Sequence, residues 1–180
     1  MKATPTNVSG AFFVESDVHA DSRGSFLRVY CRDTFHQMGI DAEPAQTNLS
    51  FNHERGTLRG LHAQRAPYEE AKLVTCAAGA FFDVAVDLRK ESPTYGRWAT
   101  VTLRAGDGRS FFIPKGCAHG FQTLEPGTTV AYQISTPFVE QARMGIRWDD
   151  PKLAIPWPLA PQNISDADKR LPSWDSWANS

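Results

Sequence analysis

The chain has 180 residues, 41% of them hydrophobic and 22% charged, a composition that suits one domain with a sizeable core. Its formal net charge of −1, with no basic run, excludes a global field that would draw it to nucleic acid or a membrane. Cys31, Cys76 and Cys117 are odd in number, widely spaced and form no CxxC pair, which favours reduced thiols over a disulfide framework.

The N-terminus, MKATPTNVSG, carries no apolar core of signal-peptide length, and no segment approaches a membrane span. A cytoplasmic protein is expected. From there the chain reads as short segments rich in Val, Phe, Thr and Tyr, bounded by Gly, Pro or Asp. They predict strands near 26–30, 46–51, 57–61, 71–76, 80–87, 97–103, 109–113, 120–124 and 128–135. In FFDVAVDL, Phe82, Val84 and Val86 share one face, and Asp83, Ala85 and Asp87 the other; in AKLVTC, Lys72, Val74 and Cys76 share a side. Helix signals are few. DTFHQMG predicts a short helix stopped by Gly39, and SDADKRL another, capped by Ser165 with Asp168 in its first turn. The tail from Pro151 is rich in Pro and Trp and is expected to pack irregularly on the outside. With no repeat or linker, residues 1–180 read as a single all-β domain, a sandwich or barrel.

The stretch GTLRGLHAQ, residues 56–64, places Arg59, His62 and Gln64 in what is otherwise a buried strand. Buried charge needs partners, so the stretch must line a wet pocket or a surface edge. Strict alternation puts Arg59 and His62 on opposite faces, but Gly60 between them permits a bulge that turns both inward. Further on, Gly108, Pro114, Gly116 and His119 stand at G-x5-P-x-G-x2-H spacing in GRSFFIPKGCAHGF. A Pro-Gly turn delivers a histidine onto the next strand. This resembles the second motif of the cupin superfamily, which implies a double-stranded β-helix (jelly-roll) barrel with a few short peripheral helices. Metal-binding cupins carry two histidines and usually a glutamate in the first motif; here the corresponding region has His62, Ala63 and Gln64. That is a poor ligand set for a catalytic metal, so no metal and no cofactor are expected.

One branch of the superfamily fits further. The stretches DSRGSFLRVY, QTNLSFN, GTLRGLHAQ, KLV, FDVAVDLRKESPTYGRW, IPKGCAHGFQTL, GIRWDDPKLAIPWP and ISDAD resemble the dTDP-4-dehydrorhamnose 3,5-epimerase family, in its order and over nearly the whole chain. The resemblance implies a metal-independent epimerase of a nucleoside-diphosphate-linked 4-keto-6-deoxysugar, whose protons on carbons 3 and 5 are acidified by the ketone. It implies His62 as the base, Asp168 as the group that holds and polarises its imidazole, Tyr132 as the acid on the opposite face, and Lys72 as the cation beside the developing enolate. Arg23 and Arg59 would meet the diphosphate; Gln46, Asn48, Asp83 and His119 would complete the pocket. It also implies a homodimer in which an early strand carrying Arg23 reaches the neighbour's site. Other uses are open from the residues alone: Asp168 as a helix cap, Tyr132 as a half-buried barrel residue, and Lys72 with Asp83 as an ion pair.

The chain departs from the family at Ala63, where a Tyr is usual. It departs also at Arg28 and Arg143, where glutamates are usual, and at Phe138, where a Tyr is usual. The last three belong around the nucleotide base, and exchanging acceptors for donors points to a base other than thymine, with cytosine the first alternative. The family keeps dTDP as the default. The alternatives weighed are a 3- or 5-monoepimerase using another nucleotide such as CDP, a metal-dependent cupin such as a dioxygenase, a sugar-nucleotide binding module, and a ketoisomerase.

Overall fold

The structure, a computed structural model, describes residues 1–179. Strands β1 (Lys2–Pro5), β2 (Phe12–Glu15), β3 (Val18–Asp21) and β4 (Gly24–Leu27) precede helix α1 (Arg32–Gln37). There follow β5 (Gln46–Asn52), β6 (Leu58–Gln64), β7 (Lys72–Ala78), β8 (Ala80–Asp87), β9 (Trp98–Arg104), β10 (Arg109–Ile113), β11 (Cys117–Thr123) and β12 (Thr128–Ile134). The short β13 (Arg143–Gly145) and helices α2 (Asp166–Lys169) and α3 (Trp174–Ala178) end the chain.

Two antiparallel sheets carry the molecule, one in the order β1-β2-β10-β7-β12-β5 and the other β13-β6-β11-β8-β9; β3 and β4 form a separate two-stranded ribbon. From β5 onward the chain alternates between the two large sheets except at the β8–β9 hairpin, the jelly-roll arrangement that the cupin resemblance implies. Inward-facing residues of both sheets meet in one cluster, including Val74, Phe111 and Val130 from the first and Phe81, Ala85, Leu103 and Phe121 from the second. Alternation is the cause: on β8, Phe81, Asp83 and Ala85 point between the sheets, while Val84 and Val86 point outward. The outward residues are not wet, because the tail covers them. Trp157, Trp174 and Trp177 pack on that face, and the indole N–H groups of Trp98 and Trp157 donate to the carbonyls of Leu153 and Trp148 at 2.7 and 2.9 Å.

The expected strand at 26–30 is found earlier, at Gly24–Leu27, because the turn at residues 22–23 pairs β4 with β3. Strands β1, β2, β3 and β13 and helix α3 were not among the expected elements. At Gly116, φ is +77° and a Cβ would sit 2.5 Å from Arg89 Cγ. The Pro-x-Gly turn that aims His119 therefore needs glycine there.

Candidate active site

The open end of the sandwich holds a cavity of about 500 Å³, within the range of small-molecule sites. Its walls come from both sheets. On the six-stranded side the antiparallel register sets rows: Ile134 lies opposite both Gln46 and Lys72, and Tyr132 opposite both Asn48 and Val74. On the five-stranded side β6 and β11 contribute Arg59, His62, His119 and Phe121.

Arg59 and His62 share the cavity because β6 carries one extra residue. His62 pairs with His119 and Arg59 with Phe121, so three steps on β6 oppose two on β11. Gly60 absorbs the irregularity at φ +117°, where a Cβ would lie 2.6 Å from Gly120 Cα and 2.7 Å from the His119 carbonyl. The expected bulge is present, and the glycine is required by close approach of two backbones.

Asp168 arrives from the tail. Thr57 bridges Asn163, and Leu58 N–H donates to the Asn163 carbonyl at 2.9 Å, which lays the tail along the start of β6. Ser165 then caps α2, its hydroxyl accepting from Asp168 N–H at 3.1 Å. The expected capping geometry holds for the Asp168 backbone, while its side chain turns to the cavity. Oδ1 lies 2.7 Å from His62 Nε2, and Oδ2 accepts from Gly60 N–H at 3.2 Å. Burial alone would raise the Asp168 carboxyl; the His62 hydrogen bond and charge, the Gly60 N–H and the Arg143 charge outweigh it and hold the group below the ordinary carboxylate range. An ionised carboxylate only accepts, so His62 Nε2 carries the hydrogen and Nδ1 is left as the basic nitrogen.

His119 Nε2 lies 2.6 Å from Asp83 Oδ1. Asp83 is fully buried behind His119, and burial pushes its carboxyl up despite the neighbouring His119. The Lys72–Asp83 ion pair, an alternative the residues left open, is not the one formed: Lys72 Nζ pairs with Glu70 Oε1, while Asp83 pairs with His119. Glu70 is buried and lines the cavity, a member the sequence reading missed. Its only signal is position, two residues before Lys72 and so on the same side of the chain. One more support, Asn52, was missed, and Gln64, singled out in GTLRGLHAQ, has a role that the sequence did not specify. Asn52 Oδ1 accepts from Arg59 Nε at 2.9 Å, leaving the terminal guanidinium nitrogens for a ligand. Gln64 accepts from Val139 N–H at 2.6 Å and donates to the Tyr68 carbonyl at 2.9 Å, tying down the loop that carries Phe138.

The structure thus gathers His62, Asp168, Lys72, Tyr132, Gln46, Asn48, Arg59, His119, Phe138 and Arg143 around one cavity. It does not bring Arg23 or Arg28 there, and Asp83 is off the lining, buried against His119. Arg23 sits on the exposed β3–β4 ribbon, paired with Asp21 at 2.6 Å, and Arg28 follows that ribbon on the surface. Among the described residues, no group of three or more His, Cys, Asp or Glu side chains is placed to hold a metal ion. No helix among them is long and apolar enough to cross a membrane.

The model of the dTDP-4-dehydrorhamnose 3,5-epimerase family matches residues 5–176. A dTDP-4-dehydrorhamnose 3,5-epimerase from Mycobacterium tuberculosis is 40% identical over 179 residues, 97% of this chain and 88% of that protein. The crystal structure of a dTDP-4-dehydrorhamnose 3,5-epimerase from Bacillus anthracis, with TDP and PPi bound, superposes with a TM-score of 0.92 at 40% identity, covering 96% of this chain and 98% of its own. ChmJ, a 3'-monoepimerase from Streptomyces bikiniensis in complex with dTDP-quinovose, superposes with a TM-score of 0.91 at 32% identity, covering 97% and 89%.

Proposed function

The chain belongs to the dTDP-4-dehydrorhamnose 3,5-epimerase family, sugar-nucleotide epimerases of deoxysugar biosynthesis, and on that premise we propose how its own residues perform the reaction and on what. The substrate is a dTDP-linked 4-keto-6-deoxysugar, epimerised at carbon 3, carbon 5 or both. We read residues 1–180 as one epimerase domain, a reading supported by the extent of the family match.

One observation carries the mechanism: a His–Asp pair on one wall of the cavity stands across from a tyrosine and a lysine on the other. Inversion at carbon requires a base on one face and an acid on the opposite face. His62 Nδ1 takes the proton from carbon 5 or 3; the C–H electron pair becomes the enolate and its charge moves to the carbon 4 oxygen. Asp168 holds the ring and stabilises the imidazolium, as a carboxylate does for a general base. Lys72 Nζ stabilises the oxyanion, and preorganised charge of this kind is often the largest catalytic contribution. Tyr132 gives its hydroxyl proton to the other face of the carbon, and both side chains then re-equilibrate with solvent. Arg59, anchored through Nε by Asn52, meets the diphosphate, and Phe138, exposed at the rim, offers a ring face to the base.

Arg23 and Arg28 join the site through a homodimer in the cytoplasm. The β3–β4 ribbon pairs with neither large sheet and presents Phe26 66% exposed, the kind of apolar surface that a second copy would cover. Incubation with dTDP- and CDP-linked 4-keto-6-deoxyglucose in deuterium oxide tests the reading. Deuterium at carbon 3 alone would favour a 3-monoepimerase like ChmJ, and no deuterium at either carbon would refute the reading. Mixing His62→Ala and Arg23→Ala chains tests the shared site, since a mixed dimer regains one intact cavity and activity rises above either variant alone.

A further inference from the structure

Arg143 stands where a contact to the nucleotide base was expected, and its guanidinium also reaches the carboxylate that holds His62. From β13, which pairs with β6 so that Arg143 lies opposite Gln64 and Gly145 opposite His62, Nη2 comes within 3.5 Å of Asp168 Oδ1. That is the same oxygen that His62 Nε2 contacts at 2.7 Å. Two N–H donors, one of them a permanent guanidinium cation, therefore share one carboxylate oxygen while Oδ2 is occupied by the Gly60 N–H.

We propose that Arg143 is a positioning residue that tempers His62: by sharing Asp168 Oδ1 it keeps the imidazole in its neutral, proton-accepting form to lower pH. Two effects of the same sign carry this. The carboxylate's attraction for an imidazolium is divided with the guanidinium, and the guanidinium itself repels the imidazolium, both side chains being about a third exposed around a buried carboxylate. The other charged or titratable groups facing the pair are Arg59 on β6, His119 on β11 with Asp83 behind it, Lys72 with Glu70 at the start of β7, and Tyr132 on β12. On α2 itself, Asp166 and Lys169 pair with each other at the surface. Among the described residues, Arg143 carries the guanidinium within ion-pair distance of Asp168, beside the titratable His62 imidazole.

The inference rests on His62 being the base, so its test begins where no substrate is needed. Imidazole titration by NMR in the substrate-free protein, with the His62 resonance assigned by its loss in His62→Gln, reads the tempering directly. Arg143→Gln should raise the His62 midpoint by about half to one pH unit, and Arg143→Lys should keep it near the wild-type value. Arg143 is 36% exposed at its side chain, so neither variant opens the core. An unchanged or lowered midpoint in Arg143→Gln would overturn the proposal, as would a Lys variant that behaves like Gln. The acid limb of kcat/KM reports the free enzyme and should move upward with the NMR midpoint. If the midpoint moves and the limb does not, the tempering stands and the assignment of His62 as base falls.

Discussion

His62 and Asp168 stand 106 residues apart in the chain and meet through a 2.7 Å contact between Nε2 and Oδ1. The contact depends on the tail lying along β6 and on α2 starting at Ser165. The helix turn that Ser165 caps thereby brings a carboxylate against an imidazole on a barrel strand.

The first prediction tests that pair. His62→Ala should lower solvent deuterium incorporation by at least about a thousandfold, within the range that a positioned general base supplies. Asp168→Asn should lower it about a hundredfold, because an amide can hold the ring but cannot stabilise the imidazolium. Circular dichroism should show both variants folded. A folded His62→Ala that exchanges at the wild-type rate removes His62 from the base role.

Tyr132 on β12 lies opposite Asn48 and Val74, on the sheet facing His62. Tyr132→Phe removes only the hydroxyl. Formation of inverted product should fall at least about a hundredfold, whereas proton removal, followed by deuterium returned to the original face, should fall less than about tenfold. Equal losses in the two measurements leave Tyr132 without the acid role.

How much of this was legible beforehand follows from what a sequence can show. Strands such as β8 and β12 were readable because alternation persists over seven or eight residues. Strands β1 to β3 span four residues each and β13 three, too short for a period of two to stand out. The Arg59–His62 conflict was resolvable in advance because a glycine lay between them. Cavity residues came mainly from the family resemblance, and most of them do line one cavity. Partnerships were less legible: pairing Lys72 with Asp83 assumed that opposite charges across strands meet, whereas Asp83 is taken by His119 and Lys72 by Glu70. Side-chain partner choice inside a barrel is decided by depth and rotamer, which neither spacing nor composition encodes.

A third prediction concerns acid stability and lies away from the site. Asp87 is fully buried and accepts from Arg89 Nε and Nη2 at 2.8 and 2.7 Å and from the Ser92 and Thr94 hydroxyls at 2.6 Å each. Burial would raise its carboxyl, but these donors prevail and hold it at about 2, against an ordinary value of 3.8. A depressed folded value means the contribution is fully present above the unfolded value and is lost as pH falls from about 4 through about 2. Its pH-dependent part is about 2 kcal/mol. Urea unfolding of wild type and Asp87→Asn between pH 2 and 7 should show a constant stability gap above about pH 5 that narrows by that amount on acidification. Parallel curves would contradict the assignment.

The last prediction concerns the nucleotide. Of the three positions that depart from the family around the base, Arg28 lies outside this chain's cavity, Phe138 stands exposed at its rim, and Arg143 lines it while reaching Asp168. Phe138 can stack on any base, since stacking needs only a ring face; Phe138→Ala should weaken dTDP and CDP alike. Discrimination then falls to Arg143 and, in the proposed homodimer, to Arg28. An arginine offers only donors, which suit the ring nitrogen and carbonyl of cytosine better than the ring N–H of thymine. A mismatched or missing hydrogen bond at a buried base edge costs about 1–3 kcal/mol, roughly a tenfold to hundredfold change in Kd. Titration of the free nucleotides dTDP, CDP, UDP and GDP isolates binding from proton transfer. The ratio of dTDP to CDP affinity should rise about tenfold or more in the Arg28→Glu, Arg143→Glu double variant. If wild type binds dTDP tightest by a clear margin and the double variant leaves the ratio unchanged, the two arginines do not read the base and the dTDP-sugar assignment stands without qualification.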